Sequence, residues 1–472
     1  MNGPCALAID QGSHATRAIV YDGRGEALAT ASRTIQTRIG EGGRVEHDAA
    51  AIVAATRAAI DAAIEAAGAA GARISVAGLA TQRSTVVCWR RADGEPLSPA
   101  ISWRDLRQQA LIDGLRAHAG RVRSLTGLPL SAHYGASKIR WCLDHLPAVA
   151  RAAARGDLVA GPLSSFLVRN LTGASETVDP ANASRTQLWS PASGQWCAPL
   201  LELFGLQRQW LPRCVPTRYA FGSLRCGARE VPLAIVTGDQ SAVPFAFGPP
   251  DMGTAYVNAG TGAFIQLPAR APAEPPLLAS VLCRDDDRTL FAIEGTVNGS
   301  GAALDWLRER HGIDAADPAL AAAAAREADP PPFLNSVAGI GSPFWKTGFE
   351  PRFEADAAAP ARLAAVIDSI AFLIAENLDA MRDQGAVPTR ILLTGGVAAS
   401  DRLAVCLAQI CGLPVDRALE KQATARGVAA LALGACARFA SVPSQRFEPG
   451  PEDGARARRQ RWRAAFLAAL AD

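Results

Sequence analysis

At 472 residues the chain is longer than one hydrophobic core serves, so two domains of ordinary size are expected. Hydrophobic residues make up 49% and charged residues 20%, and the formal net charge of +3 argues against a nucleic-acid partner. No apolar run reaches about 18 residues without a charge, so no membrane span is expected.

The first residues, MNGPCALAID, lead into a polar turn without a secretory leader, which points to a cytoplasmic protein. Short β-rich runs are predicted at 6–9 and 17–21. Between them Asp10 closes an apolar run, and Gln11-Gly12-Ser13-His14 forms a tight turn. Gly12 lets a ligand approach the backbone, successive amides form an anion-binding nest, and a nearby carboxylate suits Mg²⁺. These are the parts that hold a nucleotide's phosphates, although on its own the segment is equally an ordinary hairpin. No G-x-G-x-x-G follows the first strand, which excludes a Rossmann dinucleotide fold.

An Ala-rich helix is predicted over 49–67 with Asp48 as its cap, then strands at 74–79 and 86–90. Alternating strands and helices indicate an α/β domain. Arg83, in Thr81-Gln82-Arg83-Ser84-Thr85, has a fixed fork of donors suited to hydroxyls, or an ordinary ion pair to make. Trp103 suits either the wall of a polyol site or the core. Thr237-Gly238-Asp239-Gln240 follows an apolar run, so Asp239 is expected at a strand mouth, as a turn cap or a general base.

The pattern then begins again. Strands at 254–258 and 264–267 flank the small-residue turn Ala259-Gly260-Thr261-Gly262. A helix over 361–383, a strand at 391–394 and helices over 402–410 and 424–435 follow, while the Pro-rich stretches 271–276 and 329–332 read as loops. Thr394-Gly395-Gly396-Val397-Ala398-Ala399-Ser400 joins strand to helix and admits a flat or anionic group. Two α/β halves, each opening on a phosphate-type hairpin, imply a nucleotide in the cleft between them. Near the end, Arg456, Arg458, Arg459, Arg461 and Arg463 interleave with Trp462, Phe466 and Leu467, as on an amphipathic helix with a solvated Arg face. Of the ten cysteines none forms C-x-x-C, and Cys88, Cys142, Cys283 and Cys406 are expected as buried free thiols.

Taken together, DQGSHATRAIVYD, GGRVEHD, TQRSTVVCW, PAISWRDLR, TGLPLSAHYGASKIRW, DPANASRTQLW, GDQSA, NAGTGAF, IEGTVNGSGAALDWL, GSPFW, TGGVAASD and ATARGVAALALG resemble the FGGY carbohydrate kinases, most closely their glycerol-kinase branch. The resemblance runs from Leu7 to about Gly434. It implies two ribonuclease H-like domains of the actin-like ATPase superfamily, with ATP and substrate in the cleft. The expected division is 1–243 for the N-terminal domain, 244–440 for the C-terminal domain and 441–472 for a tail and helix.

The same resemblance implies ATP and Mg²⁺ as cofactors and a small polyol or sugar as substrate, with neither nucleic acid nor membrane as partner; the family suggests a homodimer. Asp239 would be the base for the acceptor hydroxyl, and Asp10 with Asp239 would hold Mg²⁺. Arg83, Ser84, Trp103, His133, Tyr134, Asp239, Gln240 and Phe264 fall at acceptor positions. Gly12, Ser13, His14, Arg17, Thr261, Gly262, Gly301, Asp305, Gly395, Gly396 and Ser400 fall at ATP positions.

Several residues depart from the glycerol-kinase pattern. Ser84 stands where Glu is usual and His133 where Tyr is usual, with Tyr134 one step on. Ser13 and His14 replace two threonines, and Asp305 and Gln422 replace Gln and Glu. A lost charge-assisted hydrogen bond at residue 84 is worth roughly 1.5–3 kcal/mol, or one to two decades in binding. The sequence therefore leaves three readings open. They are a kinase of glycerol or a related polyol, a pentulose or other sugar kinase, and an actin-like switch without acceptor chemistry.

Overall fold

The computed structural model describes residues 3–471 apart from 228, 286–287, 347, 435–438 and 451–453. The expected domain limits at Met1 and Asp472, and the expected helix end at Ala435, lie outside the described residues.

Two mixed sheets carry the architecture. In the first, the hairpin Cys5–Gln11/Ala15–Tyr21 continues antiparallel into Ala27–Thr34, while Ile74–Thr81 and then Arg229–Gly238 run parallel beside Cys5–Gln11. In the second, the hairpin Thr254–Ala259/Ala263–Ala269 continues antiparallel into Thr289–Val297, and Arg390–Thr394 and Val415–Ala418 run parallel beside Thr254–Ala259. The two halves thus repeat one topology. The inner strands are buried on both faces, which is why Leu7, Ile9, Leu79 and Val236 form near-continuous apolar runs.

Helices cover these sheets where the sequence places them. Ala49–Ala67 starts on Asp48, whose Oδ1 accepts the Ala51 N–H at 2.9 Å. Ala359–Asp383 and Asp401–Cys411 pack on the second sheet. Helix Ala423–Leu433 instead crosses to the first sheet, burying Ala425, Val428, Ala429 and Ala432 against Ala6, Ala8, Ile19 and Ile235. Its small residues permit this, since a Cβ on Gly427 would lie 2.0 Å from the Ala242 carbonyl oxygen. A third sheet, made of Arg38–Gly40, Arg44–His47, Ala100–Ile101, Val86–Arg90 and Leu158–Pro162, packs against the first domain through Val87, Trp89, Ala100 and Val159.

Two expectations are corrected. The arginine face of the C-terminal helix Ala455–Ala471 is solvated only in part: Arg456, Arg461 and Arg463 are exposed as expected, but one side of the face docks. Arg458 donates to Asp368 at 3.0 Å, Arg459 to Glu376 at 2.7 Å and Arg463 to Glu376 at 3.0 Å, because helix Ala359–Asp383 presents an acidic ridge there. Trp462 and Phe466 stack beneath it, 4.7 Å between ring centroids. Cys88, Cys142 and Cys406 are buried thiols as expected, but Cys283 is only half-buried, following a register shift in strand Leu278–Arg284. Among the described residues no helix is long and apolar enough to cross a membrane.

Candidate active site

The carboxyl ends of three neighbouring strands converge in the first sheet. Gln11 pairs with Thr81 and Thr81 with Gly238, so the chain leaves all three strands at one edge. After them come the turn at Gly12, then Gln82-Arg83, then Asp239. Such strand mouths are where open α/β sheets hold ligands.

Asp239 opens the short helix Asp239–Ala242; its Oδ1 accepts the Gln240 N–H at 2.7 Å and stands 3.8 Å from Arg83 Nε. Burial raises the Asp239 pKa, and the Arg83 charge offsets only part of that rise. Gly238 makes the crossing possible, for a Cβ there would come within 2.7 Å of the Arg83 side chain.

Of the two roles the sequence leaves open for Arg83, the structure shows the ion pair, and it is buried. Its Nη1 and Nη2 donate to Glu294 at 3.0 and 3.2 Å, leaving the Nε edge toward Asp239. Glu294 also accepts from Arg185 at 2.7 Å, Gln266 at 2.9 Å and Ser280 at 3.0 Å. Burial alone would push this carboxyl up, but the charges of Arg185 and Arg83 outweigh it and hold the pKa at about 2. The cluster ties the halves together, because Glu294 sits on strand Thr289–Val297 and both arginines belong to the first domain.

One wall beside this cluster is aromatic. The half-buried Trp103 and His133 rings meet edge to face at 5.6 Å, and His133 meets Tyr134 at 5.0 Å. Tyr134 itself is buried in an apolar cluster with Leu128 and Leu278, so His133 is the one that faces Trp103. Burial, then the charges of Lys138, Arg185 and Arg83, push the His133 pKa well down and keep the ring neutral. Ser84 adopts a left-handed backbone, φ 63°, with its hydroxyl buried and without a hydrogen-bond partner among the described residues. Lys138 braces both loops, donating to the Ser84 carbonyl at 3.1 Å and the His133 carbonyl at 2.5 Å. Across the cleft Gln240 accepts from Asn258 at 3.3 Å, and Phe264 is half-buried on the second hairpin.

At the end of strand Cys5–Gln11, Asp10 lies beneath the first turn with Arg17 Nη1 3.7 Å away. Burial, reinforced by the Asp239 charge, lifts Asp10 to about 7. A Cβ on Gly12 would meet nothing nearer than 3.5 Å, Ser13 is half-buried and His14 exposed. In the second hairpin Thr261 is exposed and Gly262 half-buried, and the turn seats the start of helix Gly301–His311 through Gly301 N–H to Gly260 O at 2.8 Å. Asp305, one turn on, is exposed and pairs with Arg308 at 2.9 Å. Gly395 has φ 95°, and a Cβ there would lie 2.4 Å from the Ala259 carbonyl oxygen, so this junction admits only glycine; Gly396 beside it is exposed to open space. Ser400 caps helix Asp401–Cys411, its hydroxyl accepting the Leu403 N–H at 3.4 Å.

Comparison with known proteins settles the family. Residues 5–257 match the N-terminal domain of the FGGY family of carbohydrate kinases, and residues 255–436 match its C-terminal domain. The chain belongs to the FGGY family of carbohydrate kinases. A glycerol kinase from Alkalilimnicola ehrlichii is 35% identical over 455 residues, covering 93% of this chain and 91% of that protein. The crystal structure of Plasmodium falciparum glycerol kinase with ADP superposes at a TM-score of 0.88, with 21% identity, over 99% of this chain and 98% of that one. The xylulose kinase of Rhodospirillum rubrum superposes at 0.87, with 21% identity, over 99% of both chains. The protein is therefore a phosphotransferase with an alcohol group as acceptor, built on the two-domain actin-like fold.

Sequence reasoning passed over three charged groups in this kinase. Glu294, Arg185 and Lys138 are buried, at 1%, 3% and 1% exposure. The signal was a lone charge inside an apolar run, as in Phe291-Ala292-Ile293-Glu294-Gly295, which demands a partner from elsewhere in the fold. Among the described residues no three His, Cys, Asp or Glu gather into a metal cluster. Asp10 and Asp239, whose charges act on each other, are the kind of carboxylates that Mg²⁺ takes beside phosphate oxygens, with Arg17 Nη1 3.7 Å from Asp10 as a further cation there.

Proposed function

We propose that the chain transfers the γ-phosphoryl group of ATP to a hydroxyl of glycerol or a related small, neutral polyol. One observation carries the reading. Asp239, 25% exposed at its side chain, leaves the strand end next to that of Gln82-Arg83 with Arg83 Nε at 3.8 Å, and its charge reaches Asp10 beneath the phosphate-type turn.

In this mechanism Asp239 accepts the proton of the acceptor hydroxyl as its oxygen attacks the γ-phosphorus and ADP leaves. A positioned base of this kind contributes about 10²–10⁴ in rate. Its raised pKa suits proton uptake, and the Arg83 charge offsets part of the burial that raises it. The remaining work is alignment, because phosphoryl transfer is catalysed mainly by positioning and charge neutralisation. Trp103 offers a flat apolar face to the carbon skeleton, and neutral His133 both donates and accepts hydrogen bonds. Gly12, Thr261 and Gly262 approach the phosphates, and Gly395 and Gly396 flank the adenosine. Asp10 and Asp239 would hold Mg²⁺, which supplies neutralisation of the phosphate charge.

The buried charges favour a neutral acceptor. Arg83 and Arg185 are both committed to Glu294, so neither forks onto a substrate carboxylate. Ser84 favours a second reading, in which a ketopentose fills the space a Glu would take and bonds the orphaned hydroxyl. ADP release across glycerol, other polyols, ketopentoses and aldonates tests both. Turnover with no member would overturn the kinase reading, and preference for an aldonate would overturn neutral-acceptor selection. An actin-like switch without acceptor chemistry has no use for Asp239 beside Arg83.

A further inference from the structure

Four residues close a ring of hydrogen bonds between the phosphate turn and the acceptor wall. Trp103 donates twice, from Nε1 to Ser13 Oγ at 2.9 Å and from its backbone N–H to Thr85 Oγ1 at 3.1 Å. Both hydroxyls then donate to one atom, Gln82 Oε1, Ser13 at 3.0 Å and Thr85 at 3.1 Å.

The polarity of this ring is fixed. An indole and a backbone N–H can only donate, so each hydroxyl must accept from Trp103 and pass its single hydrogen onward. Gln82 Oε1 has two lone pairs, and both are used. Its Nε2 faces the other way, toward Gly12 O and Gln11 Oε1, each at 3.4 Å. Gln82 and Thr85 are buried, at 2% and 0% exposure, whereas Ser13 and Trp103 are half-buried at the cleft. The buried half therefore holds the exposed half in register. Chains of hydrogen bonds polarise one another, so opening one bond weakens the rest.

Ser13 occupies the junction. Its only hydroxyl hydrogen is committed to Gln82, and its oxygen takes the Trp103 N–H. A phosphate oxygen that draws this hydrogen opens the ring at Gln82, and an acceptor that shifts the Trp103 ring opens it at Nε1. Either event changes the turn or wall that the other ligand meets.

We infer that the Trp103–Ser13–Gln82–Thr85 ring couples binding of the phosphate donor to binding of the acceptor, with Thr85 and Gln82 as positioning residues that touch neither ligand. The inference rests on the kinase reading above. The expected behaviour is a reciprocal factor by which each ligand changes the affinity of the other, commonly about 5- to 150-fold.

The test is calorimetry on the full chain with the non-hydrolysable analogue AMP-PNP and Mg²⁺, with and without glycerol or the polyol turned over best. In the wild type each ligand should shift the other's dissociation constant by the same factor. Thr85→Val keeps the shape and removes the hydroxyl, so the factor should fall to below about 2-fold. Thr85→Ser restores the hydroxyl and should restore the factor. Ser13→Ala breaks the other arm at a half-buried position, and supplies the same readout if Thr85→Val does not fold. A merely structural role for Thr85 would lower the melting temperature and leave the coupling factor unchanged. Wild-type coupling retained in Thr85→Val and Ser13→Ala overturns the ring while leaving the kinase intact, and so does a wild type that binds both ligands independently. A wild type that binds neither ligand overturns the kinase reading and this inference with it.

Discussion

Glu294→Gln removes one negative charge and almost no volume from the cluster that joins the two domains. The carboxylate accepts five hydrogen bonds, from Arg83 twice and from Arg185, Gln266 and Ser280 once each. In the variant two buried guanidinium groups lose their counter-charge, and the new amide turns a donor toward other donors. Breaking a buried ion pair from one side costs about 3–5 kcal/mol. The carboxyl itself gives a second measure, being held at about 2 against an ordinary 4.5. At about 1.4 kcal/mol per pH unit that displacement is worth about 3 kcal/mol, so the two routes agree.

A domain of this size loses about 2–4 °C per kcal/mol, so the melting temperature should fall by about 6–20 °C. The sign with pH follows from the depressed value. The folded carboxyl titrates below the unfolded one, so its contribution is fully present above about 4.5 and is lost as pH falls toward about 2. Melting curves from pH 7 down to 3 should therefore converge for wild type and variant. Freed from its anchor, Arg83 no longer holds its Nε edge against Asp239, and the acceptor KM should rise about tenfold or more, equivalent to about 1.4 kcal/mol. Thermal melts beside steady-state ADP release supply both readouts. A variant that melts with the wild type at pH 7 would refute the charge accounting, and an unchanged acceptor KM would refute the link from Glu294 to the site.

Asp239→Asn should retain ATP binding and lose about 10²–10⁴ in kcat; calorimetry with AMP-PNP beside ADP release checks it, and retained turnover would remove Asp239 from the role of base. Lys138→Met deletes the donor that braces the Ser84 and His133 carbonyls, so the acceptor KM should rise while the ATP KM stays put. Burial holds Lys138 down at about 7, against 10.5 when unfolded, and the Asp105 charge restores only part. Wild-type stability should therefore gain from this group as pH rises from about 7 to 10.5, a slope that melts of Lys138→Met should lack. Ser84→Glu restores a carboxylate at the acceptor wall and should shift relative kcat/KM toward glycerol over ketopentoses by about one to two decades; no shift would mean that residue 84 does not read the acceptor.

Local pattern made the turns of the candidate site legible. Asp10 at the end of an apolar run, the small-residue turns after it and after Asn258, and Gly395-Gly396 between strand and helix are readable because each depends on a few consecutive residues. Helix Ala49–Ala67 was legible for the same reason, with its cap in the preceding residue. The charged cluster was harder. Arg83 was visible as a donor fork, but its partner lies 211 residues away on a strand of the other domain. The C-terminal arginines were visible as a helix face, and only the acidic ridge of Ala359–Asp383 gave Arg458, Arg459 and Arg463 their carboxylate partners.

The sequence by itself determined the family, the duplicated hairpins and the strand mouth that carries Asp239, because periodicity, turn chemistry and motif order are local properties of the chain. Tertiary structure alone decided which charges meet. It closed Arg83 and Arg185 onto Glu294, set Lys138 between the Ser84 and His133 loops, and joined Trp103 to Ser13 through Gln82 and Thr85. A buried polar group must find its partner wherever the fold brings one, and no spacing along the chain records that distance.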